Sequence, residues 1–326
     1  MDTKRSVIAA TLLCVSAASL QAGVYLYVSN AGTNTLTAYD AVTGASLGTA
    51  VNGGPEIGGL GGVRVANNSI YLVGSGSNNV IRYLPNGSLV GALDPANAAG
   101  LNSPQGLTFG PDGKLYVVSS SGDKIARFDP TTGQFLGNFA DTSVNGHAGP
   151  IAAAFANGML FVSTFDSGEL MRFNGTSGAY LGSASAGAGV ALGDLVLGPD
   201  GYLYADALDP STFLGGIARF NAMTGAYLGM FIPNGTAGLN SPAGLAIDPN
   251  GNLLVANLIF DPMTLADTGS TVLRFNLNGQ FAGTLVGAGR GIDTPFFMTV
   301  ASTPEPATWV LMAGGAALIA LRRRVC

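Results

Sequence analysis

The chain has 326 residues, of which 47% are hydrophobic and only 10% are charged, with 14 Lys and Arg against 19 Asp and Glu. The formal net charge of −5 and the absence of a basic stripe argue against a nucleic-acid partner, which requires clustered Lys and Arg. A chain of this length can bury a core of its own.

The first 22 residues predict a signal peptide. Lys4 and Arg5 form a positive start, residues 7–18 are apolar, and small residues precede Ala22. This order is typical of export through the Sec translocon and cleavage by signal peptidase; an uncleaved N-terminal anchor is the alternative. Of the two cysteines, Cys14 lies here and Cys326 lies at the other end, so removal of both ends would leave no disulfide.

Residues 23–302 contain a repeat with a period in the forties. Five copies are marked by an Arg before an aromatic residue, and the arginines are Arg82, Arg127, Arg172, Arg219 and Arg274. Thr37, which lies 45 residues before Arg82, marks the remaining copy. Each copy resolves into four short β-strands with turns such as Pro111-Asp112-Gly113. A β-rich period of this size indicates one four-stranded propeller blade per copy.

The order of these strands predicts a closed ring. The chain begins on the second strand of a blade, at residues 25–28, and ends on a first strand, at residues 296–300. These two ends can pair and complete one blade, which removes the exposed strand edges of an open array. We therefore predict an all-β fold, a six-bladed β-propeller of four-stranded blades closed by pairing the N- and C-terminal strands, over residues 23–302.

The clearest copies resemble the NHL repeat family. One reads Ser-Pro-Gln-Gly-Leu at residues 103–107 and Ile-Ala-Arg-Phe-Asp at 125–129, and a second begins with Ser-Pro-Ala-Gly-Leu at 241–245. NHL repeats usually carry an Asp just after the second strand. This chain departs from that pattern, because the aligned residues are Asn30, Gly74, Ser119, Thr164, Ala207 and Asn257.

The first strands should line the central channel, and their side chains are mostly apolar. Arg64 is the only charge that we expect among them, and no ring of carboxylates and histidines emerges. We predict no catalytic residue and no bound cofactor. His147, the only histidine, falls in a Gly-rich loop between blades, where it is either a catalytic base or, as we favour, a solvated surface residue. The repeated arginines predict a structural role, such as stacking on an aromatic ring or pairing with a neighbouring blade.

A calcium site is the one metal centre that the sequence allows. Oxygen ligands of the kind that Ca²⁺ prefers lie near the ends of second strands or in the loops that follow. These residues are Asp166, Asp206, Asp209, Asn257 and Asp261. Hydrogen bonding in turns and caps is the other interpretation, and the one that we favour.

Two loops are longer than their counterparts, at residues 208–216 and 258–270. Both follow second strands, and excursions on one face of a rigid scaffold often carry binding residues. Phe213, Phe260 and Met263 supply apolar contact in these loops. We predict that they form the recognition surface.

The tail combines three elements in order. Pro304-Glu305-Pro306 precedes an uncharged apolar run at residues 307–321, and Arg322, Arg323 and Arg324 follow. The run is short for a membrane-spanning helix, but the arginines can extend it by snorkelling and should keep the C-terminus in the cytoplasm. On physical grounds alone, a general membrane anchor is an equal interpretation.

This order of elements resembles the PEP-CTERM sorting signal of Gram-negative bacteria, which would occupy residues 303–326. The resemblance implies a transient anchor in the inner membrane, recognition by an exosortase-like protease and removal of the helix. It further implies delivery of the protein to the cell surface or the extracellular matrix.

Three functions remain open from the sequence. The first, which we favour, is a non-enzymatic binding or scaffold module for a protein or an exopolysaccharide of the envelope. The second is a secreted enzyme of the lactonase or lyase type, with its site at the channel mouth. The third is a purely structural envelope protein. A propeller fold alone does not choose among them.

Overall fold

The computed structural model describes residues 23–302, apart from residues 262, 263 and 265. The signal peptide predicted at residues 1–22 and the sorting segment predicted at 303–326 lie outside the described residues. Residues Val24–Ala301 form one compact unit.

The described part of the chain forms 24 β-strands and two short 3₁₀ turns, Val144–Gly146 and Thr236–Gly238. In chain order the strands are β1 Val24–Asn30, β2 Thr35–Asp40, β3 Ser46–Asn52, β4 Leu60–Ala66, β5 Ser69–Gly74, β6 Asn79–Tyr83, β7 Leu89–Ala92, β8 Pro104–Phe109, β9 Leu115–Ser119, β10 Lys124–Phe128, β11 Phe135–Asp141, β12 Pro150–Ala156, β13 Met159–Thr164, β14 Glu169–Asn174, β15 Tyr180–Ser185, β16 Ala191–Leu197, β17 Tyr202–Leu208, β18 Gly215–Asn221, β19 Tyr227–Ile232, β20 Ser241–Ile247, β21 Leu253–Leu258, β22 Thr271–Phe275, β23 Phe281–Val286 and β24 Pro295–Ser302.

These strands form six antiparallel sheets of four, which are the six predicted blades. Five blades use consecutive strands, from β4–β7 to β20–β23. The remaining blade has the order β24-β1-β2-β3, so the last strand pairs with the first. The pairing is reinforced by Ser29, whose Oγ accepts a hydrogen bond from the Phe297 N–H at 3.0 Å and donates to the Phe297 carbonyl at 3.1 Å. The predicted all-β, six-bladed propeller with a closed ring is confirmed.

The position of a strand within its blade determines its sequence pattern. Second strands are buried on both faces and are almost wholly apolar, as in β9, where all five residues are buried. Outermost strands are more exposed, and in β15 half-buried and exposed residues alternate. The core lies between neighbouring blades: Tyr71 and Val73 of β5 pack in one cluster with Leu115 and Val117 of β9.

Some of the repeated arginines join neighbouring blades, and others stack on aromatic rings of their own blade. Arg82 Nη1 donates to the carbonyls of Pro130 and Thr131 in the next blade, both at 3.1 Å. Arg274 donates in the same way to the carbonyls of Ala41 and Val42, while Arg219 stacks on the Tyr202 ring at 4.9 Å. These contacts show the structural role that the sequence predicted.

The strand register corrects the sequence alignment of the one repeat copy that has no arginine. Arg82 pairs with Gly91 on β7, and the residue that pairs with the corresponding glycine, Gly48, is Ala38. Ala38 rather than Thr37 therefore occupies the arginine position of this blade. The sequence alignment was displaced by one residue because the blade lacks the Arg that marks the others.

Candidate functional site

A cavity of about 360 Å³ lies at one end of the central channel. It is bounded by the beginnings of the inner strands β12, β16, β20 and β24 and by the ends of the second strands β17 and β21. Most of its wall is apolar. The large apolar side chains that line it are Ile151, Phe165, Leu208, Phe213, Leu258, Phe260, Phe296 and Phe297. An apolar concave site with a few polar groups is the usual form of a small-ligand pocket.

The two long loops contribute an aromatic pair to this cavity. The rings of Phe213 and Phe260 meet edge to face, with centroids 6.1 Å apart and planes at 76°. Phe213 is 44% exposed, so it also faces solvent. Met263, the third residue predicted for the recognition surface, lies outside the described residues. The structure therefore places two of the three predicted residues on one cavity wall, and their role in recognition stays a prediction.

Phe213 is held in an unusual backbone conformation. Its φ of 59° is in the left-handed region, where a bulky side chain is an outlier. The preceding turn enforces it: Asp209 O accepts the Phe213 N–H at 2.7 Å, and Asp209 Oδ1 accepts the Ser211 N–H at 2.8 Å. Strained residues of this kind concentrate at functional sites.

Asp194 on β16 is a charged residue of the cavity that the sequence analysis missed. It is almost fully buried, and its Oδ2 accepts the Leu245 N–H of the next blade at 2.9 Å. Its Oδ1 accepts the N–H of Leu195 at 2.8 Å. Burial raises the pKa of Asp194 to about 6, against the opposing effects of the Arg64 charge and the two N–H groups.

Asp206 on β17 is the second buried carboxyl group of the cavity. It is 1% exposed, and its Oδ1 has no hydrogen-bond partner. Burial, and then the negative charge of Asp194, raise the pKa of Asp206 well above its usual value, although nearby backbone N–H groups oppose the shift. Asp206 was predicted as a calcium ligand or a cap, and the structure places it against the inner strand instead.

A β-bulge brings the two carboxyl groups together. The pairing of β16 with β17 skips from Leu192–Ala207 to Leu195–Ala205, so Gly193 and Asp194 both lie opposite Asp206. Bulges commonly redirect side chains at functional sites. A side chain at Gly193 would collide with Asp206, because an added Cβ would lie 2.4 Å from Asp206 Oδ1. The glycine therefore leaves the room that Asp206 occupies.

The other blades show that these two acids are exceptions to the repeat. The residues that the strand registers and the Ser29–Phe297 pairing align with Asp194 are Gly62, Gly106, Ala152, Gly244 and Phe297. Those aligned with Asp206 are Ser29, Val73, Val118, Ser163 and Ala256. No other blade has an acid at either position. Comparison of the copies at these two positions was the sequence signal that could have identified the pair.

Arg64 provides the opposite charge on the inner strands. It is half-buried on β4, and its Nη1 donates to the Val63 carbonyl at 2.8 Å. Burial lowers its pKa, and the charge of Asp194 opposes that effect. The expectation that Arg64 would be the only charge on the inner strands was wrong, because Asp194 lies on β16.

His147 is not the solvated residue that its Gly-rich loop suggested. It is 9% exposed and lies beside the next blade, with Nδ1 3.2 Å from Glu169 Oε2 and Nε2 3.1 Å from the Tyr180 hydroxyl. These contacts fasten the loop between β11 and β12 to β14 and β15. The sequence did not predict this role, because neighbouring glycines indicate a locally flexible loop but do not indicate which residues of the next blade His147 contacts.

The predicted calcium ligands have separate surroundings. Asp209 binds the N–H of Ser211, Asp261 binds that of Thr264, and Asn257 binds that of Asn240. Within residues 23–302 as described, no three His, Cys, Asp or Glu side chains are grouped as metal ligands.

The C-terminal segment is identified by comparison with known families. The PEP-CTERM protein-sorting motif matches residues 302–324. The chain carries a PEP-CTERM sorting signal. The motif includes the predicted residues Pro304, Glu305, Pro306, Arg322, Arg323 and Arg324, which lie outside the described residues. It implies export and exosortase-dependent processing. In the described part of the chain, no helix has the length and apolar character needed to cross a membrane.

Solved structures similar to this chain share its fold at low sequence identity. A Bacteroides caccae protein of unknown function is 14% identical, with a TM-score of 0.64 over 85% of this chain and 98% of its own. A nidogen–laminin complex contains a chain 14% identical, with a TM-score of 0.60 over 86% and 98%. A Bacteroides uniformis protein provisionally described as a 6-phosphogluconolactonase is 17% identical, with a TM-score of 0.57 over 86% and 100%. A search of curated proteins found no match.

Proposed function

We propose that this exported propeller is a non-enzymatic binding module that takes an apolar group of an envelope protein or exopolysaccharide into the channel-mouth cavity. The observation that carries the proposal is the apolar cavity of about 360 Å³ at the channel mouth, to whose wall both long loops contribute. Buried aromatic contacts in a pocket dominate most recognition energies. The sorting signal supports a site of action at the cell surface or in the matrix.

The aromatic wall of the cavity allows a direct test. Phe213→Ala should weaken co-sedimentation of the full-length chain with isolated exopolysaccharide or envelope protein by about thirtyfold, since losing one hot-spot side chain costs about 2 kcal/mol. Phe281→Ala is the matched control, since Phe281 is 46% exposed and also packs edge to face on a second phenylalanine. Equal losses in both variants, or no binding by the wild type, would contradict the proposal.

One observation favours an enzyme as the second candidate. A carboxyl group with a pKa of about 6, as in Asp194, can both donate and accept a proton near neutral pH. The lactonase or lyase alternative would use this group at the channel mouth. Lactone-hydrolysis and lyase assays on the wild type and on Asp194→Asn distinguish the two functions. Turnover that disappears in the variant would favour the enzyme, and absence of turnover in the wild type would favour the binding module.

A further inference from the structure

The cavity contains one polar atom that the protein does not satisfy. Asp206 is 1% exposed, lines the cavity, and has no hydrogen-bond partner for Oδ1. Leaving a buried polar atom unpaired costs free energy, so such atoms in folded proteins call for a physical reason. A ligand that supplies the missing partner is one such reason.

The repeat shows that blade pairing does not require this carboxyl group. At the equivalent position, Ser29 satisfies its hydroxyl on the backbone of Phe297, and Ser163 does so on Ala152. Val73 and Val118 occupy the same position without any polar atom. Blade pairing therefore does not require the Asp206 carboxyl group, whose Oδ1 has no hydrogen-bond partner within the protein.

The charges around the cavity favour an uncharged ligand. Asp194 on β16 and Arg64 on β4 carry opposite charges, and the titratable side chains that line the cavity are Asp194 and Asp206. Burial and the Asp194 charge raise the pKa of Asp206, which favours the neutral carboxyl group, and this form presents an O–H donor. Such a donor in apolar surroundings pairs with a hydrogen-bond acceptor, whereas a cation would have to give up its hydration among mostly apolar side chains.

We propose that the cavity selects uncharged apolar molecules, or apolar groups of larger molecules, that carry a carbonyl oxygen, and that the Asp206 carboxyl group donates a hydrogen bond to that oxygen. The proposal rests on the binding function proposed above. The apolar wall takes the body of the ligand, and Asp206 distinguishes ligands of equal size by their polar atom.

Three probes of nearly equal size separate these contributions: ethylbenzene, acetophenone and 1-phenylethylamine. Binding of each to the full-length chain is measured at pH 7 by ligand-observed NMR. Acetophenone should bind about three- to tenfold more tightly than ethylbenzene, the value of one net hydrogen bond. The amine, which is a cation at this pH, should bind least tightly.

Variants assign the selectivity to Asp206. Asp206→Val, which introduces the residue of two other blades, should make acetophenone and ethylbenzene bind equally. Val118→Ala changes the equivalent position of a blade that does not line the cavity and should preserve the difference. If Asp206→Val does not fold, Asp206→Ser, the residue of two further blades, serves the same purpose because its shorter side chain is satisfied by the inner strand.

The possible results separate this inference from the function on which it rests. Equal binding of ethylbenzene and acetophenone to the wild type, or tightest binding of the amine, would overturn the carbonyl selectivity and leave the binding cavity intact. An unchanged preference in Asp206→Val would also overturn it. If none of the probes binds, the cavity is not a ligand site, and both proposals fail.

Discussion

Two seams between neighbouring blades differ at the same position of the repeat. At Gly106 the inner strands β8 and β12 approach so closely that an added Cβ would lie 2.6 Å from the Ile151 carbonyl oxygen. At the equivalent position, Asp194 instead projects a carboxylate that accepts the Leu245 N–H of β20 at 2.9 Å. At the first interface the backbones of the two inner strands are in close contact. At the second, a charged side chain beside the cavity connects the two blades. The candidate site therefore lies where the ring departs from its own repeat.

The largest effect should come from introducing an Asp, the residue at position 194, at the equivalent position 106 of the closely packed blade interface. Gly106→Asp would force a side chain against the Ile151 backbone and bury a charge, so we expect a loss of more than about 4 kcal/mol in the free energy of unfolding. The measurement is urea unfolding followed by circular dichroism. Gly287→Asp is the control, because an added Cβ there meets no atom within 4 Å, and it should change stability by less than about 0.5 kcal/mol. Similar stabilities for the two variants would show that the seams do not differ as described.

The second effect should appear in the dependence of stability on pH. The pKa of Asp206 is well above its unfolded value, so its contribution to stability is complete below pH 3.8 and is lost as pH rises towards the folded pKa. Asp206→Val removes this loss. The variant should therefore gain stability over the wild type above pH 4, by at most about 1.4 kcal/mol per pH unit.

Urea unfolding at each unit from pH 4 to pH 8 measures this divergence. The slope due to Asp194, whose pKa is raised to about 6, should remain in both proteins between pH 4 and 6. Parallel curves for the wild type and Asp206→Val would mean that Asp206 is ionised in the folded protein.

The sequence was sufficient to predict the ring because the blade pattern is local. Apolar second strands recur in each copy and the Arg-aromatic pair in five of six, while Pro-Asp-Gly turns mark two copies, so six blades and their closure follow from spacing. Phe213 and Phe260 were found for a related reason, since loop length is visible along the chain.

The acid pair was missed because its chemistry depends on contacts between strands. Asp194 lies in a strand whose side chains were predicted to be apolar. Asp206 lies near a strand end, where acidic residues usually cap turns. The bulge that brings Asp206 opposite Gly193 and Asp194 is a property of strand register, which the spacing of residues does not reveal.

A smaller effect should follow from removing the arginine hydrogen bonds that connect two neighbouring blades. Arg82→Ala removes two hydrogen bonds to the next blade and should cost about 1–2 kcal/mol. Lys114→Ala is the control, because Lys114 makes a partly exposed ion pair with Asp129 at 2.7 Å, and exposed pairs contribute little to stability. If Arg82→Ala costs no more than Lys114→Ala in urea unfolding, the arginine contacts do not hold the outer seams together.

The smallest effect concerns the seam at which the ring closes. Strand β24 ends at Ser302, and Ser29 Oγ bonds the backbone of Phe297 within it. Truncation after Ser302 therefore preserves all the strands described within residues 23–302 and should change the free energy of unfolding by less than about 0.5 kcal/mol. Truncation after Thr294 is the matched comparison, since it deletes β24 and exposes the edge of β1, and it should prevent cooperative unfolding. A loss of folding in the first truncation would show that residues beyond Ser302 contribute to the ring, and a sorting segment removed by an exosortase should not do so.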